Sequence, residues 1–350
     1  MKDFKEICVY TGAIIAWVVG GGFATGQEVL RFYSSYRWES YLIIAIDLLL
    51  FTLIIRSLLL CGFINKEEED FHAYNFYCGK NLSKFYYFMV NLGLIMHIGM
   101  LISAGGTTLN EYYDINRFFG SLIFAVGLLT VYLSGFNNMV SIISKLGPLV
   151  ILFVVFVGFY CTIRDLNNFQ HLDKSIIALQ DKIIGYNWIY SALLYASSNF
   201  VASGFYFTAL GKICSSRKVI NISAILGCSI LMLTICMVSS AILLNGEAIA
   251  AYDVPNVFLV NSISPVLSVF VTILLCLAMF GSSCADVWSF SSQFFRDDKH
   301  KNQIFATCVL AGCLCFGMLP FSTVLGILGP INGIGGFVFM CLVIYRGFSL

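Results

Sequence analysis

The stretch Gly20-Gly21-Gly22-Phe23-Ala24-Thr25-Gly26-Gln27-Glu28 sits near the middle of an apolar run from about residue 7 to 34, too long for one simple membrane crossing. Each glycine disfavours a continuous helix by about 1 kcal/mol relative to alanine, so three in succession predict a break. The chain then restarts with Thr25-Gly26-Gln27-Glu28, which has the form of a capping box. In that arrangement the Thr25 hydroxyl accepts from the Glu28 amide and the Glu28 carboxylate reaches back. Unwound backbone at membrane depth is tolerated only where it is buried in protein or lines a watery cavity. Its free amides and the positive end of the second half-helix would attract an anionic group such as a carboxylate. Glycines in membrane helices also serve close packing, but a triplet followed by a polar string favours the broken helix.

The rest of the chain supports a membrane setting. Of 350 residues, 59% are hydrophobic and 11% charged, against roughly 45 to 50% and about 25% in soluble proteins. Mean hydropathy is +0.87. Ten spans of about 20 residues each would use about 200 residues and leave no room for a separate soluble domain. A net charge of +1 with no basic stretch argues against a nucleic-acid partner. His72, His97, His171 and His300 are scattered and make no metal cluster. Most of the 13 cysteines, among them Cys228, Cys236, Cys276 and Cys313, lie inside apolar runs and read as small buried hydrophobes. The first apolar run has no small-residue cleavage site, so it reads as a retained span and not a signal peptide.

Long apolar windows bounded by polar clusters predict an all-α polytopic membrane protein of ten spans. The first five run at about 7–34, 40–63, 85–109, 117–133 and 138–162, and the second five at about 184–211, 218–244, 264–292, 303–319 and 321–345. An even number of spans puts both termini on one side. Twelve Lys and Arg fall in termini and loops on that side, and only five (Arg37, Arg117, Arg164, Lys174 and Lys182) on the other. Basic residues are retained on the cytoplasmic face, so both termini are expected to be cytoplasmic.

Three weak internal matches recur at similar offsets. Gly22-Phe23-Ala24-Thr25-Gly26 in span 1 echoes residues 199–204 in span 6, Gly106-Thr107-Thr108 in span 3 echoes Gly281-Ser282-Ser283 in span 8, and Leu146-Gly147-Pro148 in span 5 echoes Leu328-Gly329-Pro330 in span 10. That order is the one a five-plus-five repeat predicts, and an odd number of spans per half makes the halves inverted. The organisation is then a first repeat over 1–163, a connection over 164–183 outside the cell and a second repeat over 184–350. In span 6, Tyr195-Ala196-Ser197-Ser198-Asn199-Phe200 interrupts an apolar helix with three adjacent polar side chains. These can bond to local backbone and favour interruption or bond to a neighbouring helix. The correspondence with span 1 favours interruption.

The nine residues 20–28, near the start of a chain of this length and span count, resemble the YkvI-type family of bacterial membrane proteins, which are described as amino-acid permeases of mostly uncharacterised substrate. The span count and inverted halves are similar to the leucine-transporter fold of the amino acid, polyamine and organocation superfamily. The resemblance implies a central site between broken spans 1 and 6, flanked by spans 3 and 8. It also implies, for sodium-coupled members, an ion between span 1 carbonyls and two span 8 hydroxyls. Here the matching groups are the Gly21 and Ala24 carbonyls and the hydroxyls of Ser282 and Ser283. Arg31 matches a position that in some sodium symporters belongs to the extracellular gate. Some proton-coupled relatives place a span 5 lysine where the sodium would sit, and Lys145 is at a matching depth; otherwise its stem snorkels to the interface.

Ionisable groups inside spans cost at least about 2.5 to 3.5 kcal/mol on insertion scales and are functional candidates by default. Glu28 follows the break directly and could cap the helix, pair with Arg31, or handle substrate or proton. Asp47 and Asp286 could join a polar network or bind a proton. Arg56 and His97 have no partner identifiable from sequence.

The expected activity is therefore secondary active transport, not enzyme catalysis: symport of a small amino acid or related carboxylate across a bacterial cytoplasmic membrane, coupled to sodium or, alternatively, to protons, with no other cofactor. Backbone amides from Phe23 to Gly26 would hold the carboxylate. Carbonyls near Gly20, Gly21 and Gly22 and polar groups of Ser197, Ser198 and Asn199 would hold the amine, with Phe23, Tyr195 and Phe200 as wall or gate. The competing expectation is an amino-acid-sensing receptor subunit resembling the spore germination permeases. The sequence is silent on oligomeric state.

Overall fold

The computed structural model describes residues 2–68, 71–133, 136–295 and 298–350, and side chains throughout these except at 2, 21, 136–148, 151, 292 and 293. The predicted apolar runs fall on helices, and no strand occurs among the described residues. The first run is divided into α1 (Lys2–Val18), α2 (Gly21–Thr25) and α3 (Gln27–Phe32). There follow α4 (Glu39–Ile64), α5 (Ala73–Tyr113), α6 (Arg117–Leu133) and α7 (Phe136–Arg164). The polar connection is itself helical, with α8 (Leu172–Leu179) between two 3-10 turns. The sixth run is divided into α9 (Trp188–Phe200) and α10 (Ser203–Lys212), and α11 (Arg217–Leu244) follows. Two short helices, α12 (Gly246–Ile249) and α13 (Pro255–Asn261), precede α14 (Pro265–Phe295), α15 (Lys299–Cys313) and α16 (Phe321–Gly347).

Local chemistry sets many of these boundaries. The side chains of Asn187, Ser216 and Asp298 accept from the amides of Tyr190, Val219 and Lys301 and so cap α9, α11 and α15. Pro255 and Pro265 open α13 and α14, where a missing N–H costs nothing. Within α5 the ladder is interrupted at Gly79, whose φ of 72° turns the chain before the apolar part begins. Among the described residues, six helices are long and apolar enough to cross a membrane unaided: α4, α5, α11, α14, α15 with its 3-10 extension, and α16.

The split helices lie at the centre of the bundle. α9 packs on α16 and α4, α10 on α4, α1 on α11, and α2 on α14 and α5. Close approach of α9 and α16 depends on glycine: a Cβ at Gly336 would run into the Ser197 carbonyl, and one at Gly333 into the Leu194 side chain. Both termini come to one end of the bundle, where Glu6 accepts from Ser215 and Arg217 donates to the Leu350 carbonyl. At the other end the Arg164 Nε lies 2.6 Å from Asp165 Oδ1. Burial opposes the Asp165 charge, but hydrogen bonds from Arg164 and Asn245 outweigh it and hold this carboxyl below its ordinary range.

Candidate substrate and ion site

The break in the first run is displaced from its predicted position. Gly20 is extended (φ −82°, ψ −174°) and caps α2, whereas Gly21 and Gly22 are already helical. A second interruption falls at Gly26, whose φ of +84° is left-handed, and α3 starts beyond it. The capping box does not form. Thr25 Oγ1 donates to the Gly22 carbonyl at 2.7 Å and accepts from the Gln27 amide at 3.4 Å. With Gly26 in the left-handed region, the amide presented to the Thr25 hydroxyl is that of Gln27, not Glu28. The Glu28 carboxylate instead folds against Gly22, where any Cβ would strike it, and accepts from the Tyr195 hydroxyl at 3.4 Å.

This displacement also moves the available amides. Ala24 N bonds to the Gly20 carbonyl and Gly26 N to the Phe23 carbonyl, both at 3.0 Å. These two amides are therefore engaged in their own turn, and the amides left without intrahelical partners are those that open α2, at Gly21, Gly22 and Phe23. The Ala24 carbonyl accepts from Asn256 Nδ2 at 2.8 Å, a contact from α13 that also packs against Gly26.

The second interruption is slighter. Val201 and Ala202 keep right-handed helical dihedrals, so α9 and α10 meet at a kink. All three polar side chains preceding it turn back on their own helix: Ser197 donates to the Leu194 carbonyl at 3.1 Å, and Ser198 and Asn199 each donate to the Tyr195 carbonyl at 3.0 Å. What faces the first break from α9 is aromatic. Tyr195 packs on Phe32 and Tyr33 at 5.1 Å and on Phe51 at 5.9 Å, and Phe51 continues to Phe200 at 4.7 Å. Phe23 is also buried. Beyond the breaks, Trp17 Nε1 donates to the Asn199 carbonyl at 3.3 Å and stacks on Tyr206 at 4.8 Å, and Tyr206 donates to the Ala13 carbonyl at 3.2 Å.

From α14, Ser282 faces the same break: a Cβ built on Gly20 would lie 3.9 Å from Ser282 Oγ. The Ser283 hydroxyl is fully buried without a hydrogen-bond partner among the described residues. Neighbouring buried polar groups are equally underused. Gln27 leaves both amide atoms unpartnered, and Asp47, which accepts from Tyr33 at 2.7 Å, leaves its second oxygen unpartnered. Orphaned buried oxygens close to an interrupted backbone suit a small polar ligand or a hard cation. The Lys145 side chain is not among those described, nor are the side chains of the match at Leu146-Gly147-Pro148.

The intramembrane charges pair in ways the sequence did not indicate. His97 Nδ1 lies 2.6 Å from Asp286 Oδ2, linking α5 to α14 across 189 residues. Arg56 donates to Asn221 at 2.9 Å. Arg31 donates to the backbone carbonyls of Lys182 and Ser322 and does not pair with Glu28. Asn256 was missed altogether, since nothing local marks a polar residue in a connecting segment as the partner of a carbonyl 232 residues away. An open cleft of about 450 Å³ near Arg37, Asp173 and Trp188 is separate and includes none of these residues.

The architecture is shared with membrane proteins of known structure. Over 99% of the chain it superposes on inward-facing Mhp1, covering 76% of that chain with a TM-score of 0.53 at 13% identity. Over 95% it superposes on a point mutant of the manganese transporter of Eremococcus coleocola, covering 76% of that chain with a TM-score of 0.51 at 16% identity. Among curated sequences it is similar to the uncharacterised protein YyaD of Bacillus subtilis, 21% identical over 95% of this chain and 94% of YyaD. It is also similar to the uncharacterised membrane protein YkvI of the same organism, 27% identical over 71% of this chain and 68% of YkvI. The chain matches no established family model. The chain is thus similar in sequence to YyaD and to the membrane protein YkvI, and it shares its fold with Mhp1 and the manganese transporter.

Proposed function

We propose that this protein is a secondary active symporter of a small amino acid or related carboxylate, working by alternating access and coupled to sodium. The observation that carries the proposal is the apposition of the first break to Ser282, whose neighbour Ser283 keeps a buried hydroxyl without a partner among the described residues, beside an aromatic wall from α9. In this reading the ten spans form two inverted repeats over 1–163 and 184–350, joined by residues 164–183. Both termini are in the cytoplasm of a bacterial cell. The substrate carboxylate meets the amides that open α2, Glu28 and the Gly20 carbonyl face its amine, and Phe23, Tyr195 and Phe200 close the chamber. Sodium takes the Ser282 and Ser283 hydroxyls with carbonyl oxygen from the first break; at Ala24 that oxygen already accepts from Asn256.

Uptake of a pooled set of labelled amino acids by purified protein in liposomes, with sodium and proton gradients imposed separately, tests this reading. Sodium-driven accumulation is the expected result. Absence of flux combined with substrate-dependent thermal stabilisation would replace the transporter with a receptor, which binds without transporting.

A further inference from the structure

We propose that His97 and Asp286 form a proton-binding site that competes with the cation seat at Ser282 and Ser283 for the negative charge of Asp286. The inference rests on the sodium-symport reading above and adds to it a site on α5 and α14 with an ion of its own. Three observations carry it. The imidazole and carboxylate are 2.6 Å apart, within one strong hydrogen bond, and their side chains keep 35% and 18% of their exposure, so neither is fully enclosed by protein. Both belong to helices that pack on each other and on α2. Asp286 lies four residues beyond Ser282 and three beyond Ser283, which on a helix places its carboxylate on the same face, one turn from the hydroxyls.

The consequence is electrostatic. With His97 neutral, Asp286 presents an uncompensated negative charge one turn from the cation seat. When a proton taken from water charges the imidazole, the pair is neutral and that attraction is withdrawn. Histidine is the side chain whose charge changes in the physiological range, so the switch needs no unusual chemistry. Among the described residues the titratable groups acting on the pair are Glu28 from α3, with the Tyr195 hydroxyl from α9 reaching it through Glu28, and the Cys284 thiol on α14 beside Asp286. From α15, Cys313 donates to the Ile95 carbonyl. Tyr33 and Asp47 lie one step further, since Tyr33 packs on the Tyr195 ring. Glu28 thus belongs to the chamber and also senses the charge of His97.

The test uses the full chain in two settings. In liposomes, uptake of the pooled labelled amino acids is titrated with sodium at pH 6 and pH 8. For the unaltered protein the half-saturating sodium concentration should be about fivefold or more higher at pH 6. In His97→Gln and Asp286→Asn the ratio between the two pH values should fall to near one. A ratio that persists in His97→Gln overturns the proposal. In nanodiscs without substrate, carbon-13 histidine resonances report titration directly, with His97 assigned by its loss in His97→Gln. Its titration should move in Asp286→Asn and in Glu28→Gln while the other three histidines stay put, and a His97 titration unmoved by both overturns the proton site. Uptake that needs no sodium, or no uptake at all, overturns the reading of the cation seat and the competition built on it, and the histidine titration then decides the proton site alone.

Discussion

The two interrupted helices at the centre of the bundle are interrupted to different degrees. Between α1 and α3 the backbone leaves the helical region twice, at the extended Gly20 and the left-handed Gly26. Between α9 and α10 it keeps right-handed dihedrals, and Ser197, Ser198 and Asn199 spend their donors on their own turn. Glycine removes the steric restriction on the backbone, whereas serine and asparagine only compete for its hydrogen bonds. The first segment therefore supplies open backbone and the second supplies shape, mainly through Tyr195 and Phe200.

The strongest challenge to that contrast is Gly26→Ala. A side chain at φ +84° costs roughly 1 to 2 kcal/mol, and its Cβ would also lie 2.8 Å from Asn256 Oδ1. Thermal unfolding in detergent should show a loss of about 2 kcal/mol or more, and wild-type stability in this variant would mean that Gly26 is not a fixed point. Gly22→Ala separates function from stability. Its Cβ meets the flexible Glu28 carboxylate and no backbone, so melting should barely shift while uptake falls about tenfold, equivalent to roughly 1.4 kcal/mol. Uptake equal to wild type would remove Glu28 from the chamber. Asn256→Ala strips the Ala24 carbonyl of its donor, with an expected cost of about 1 kcal/mol in chemical denaturation; no change there would leave α2 held by its neighbours alone. Ser198→Ala should cost under about 0.5 kcal/mol and leave uptake near wild type, because its hydroxyl serves only its own helix. A large loss of uptake would show that the second segment offers its polar groups to the ligand after all.

Apolar run length and the glycine triplet were enough to read the helical membrane fold and to place the first of the two interruptions, at Gly20, because both are local properties of the chain. The sense of that interruption was not readable. Whether Thr25 caps toward Glu28 or Gln27 depends on the dihedrals of Gly26, a residue free to take either hand. Residues 164–183 looked like a plain connection because their polar character hides an amphipathic turn, α8, that buries Ile176 and Leu179 against the bundle. His97 and Asp286 each stood out as a charge in an apolar run, but their pairing joins helices from opposite halves of the chain. Periodicity within one helix carries no record of such a partner.

The contact of Trp17 with Asn199 and Tyr206 has a mechanical consequence. One indole donates a hydrogen bond to the end of α9, stacks on α10 and thereby clamps the α1 side of one interruption to the kink of the other. With Tyr206 fastened in turn to the Ala13 carbonyl, α1 and α10 behave as a single lever whose two arms come from different halves of the chain. In the transport cycle proposed above, the two helices are expected to move together at this end of the chamber.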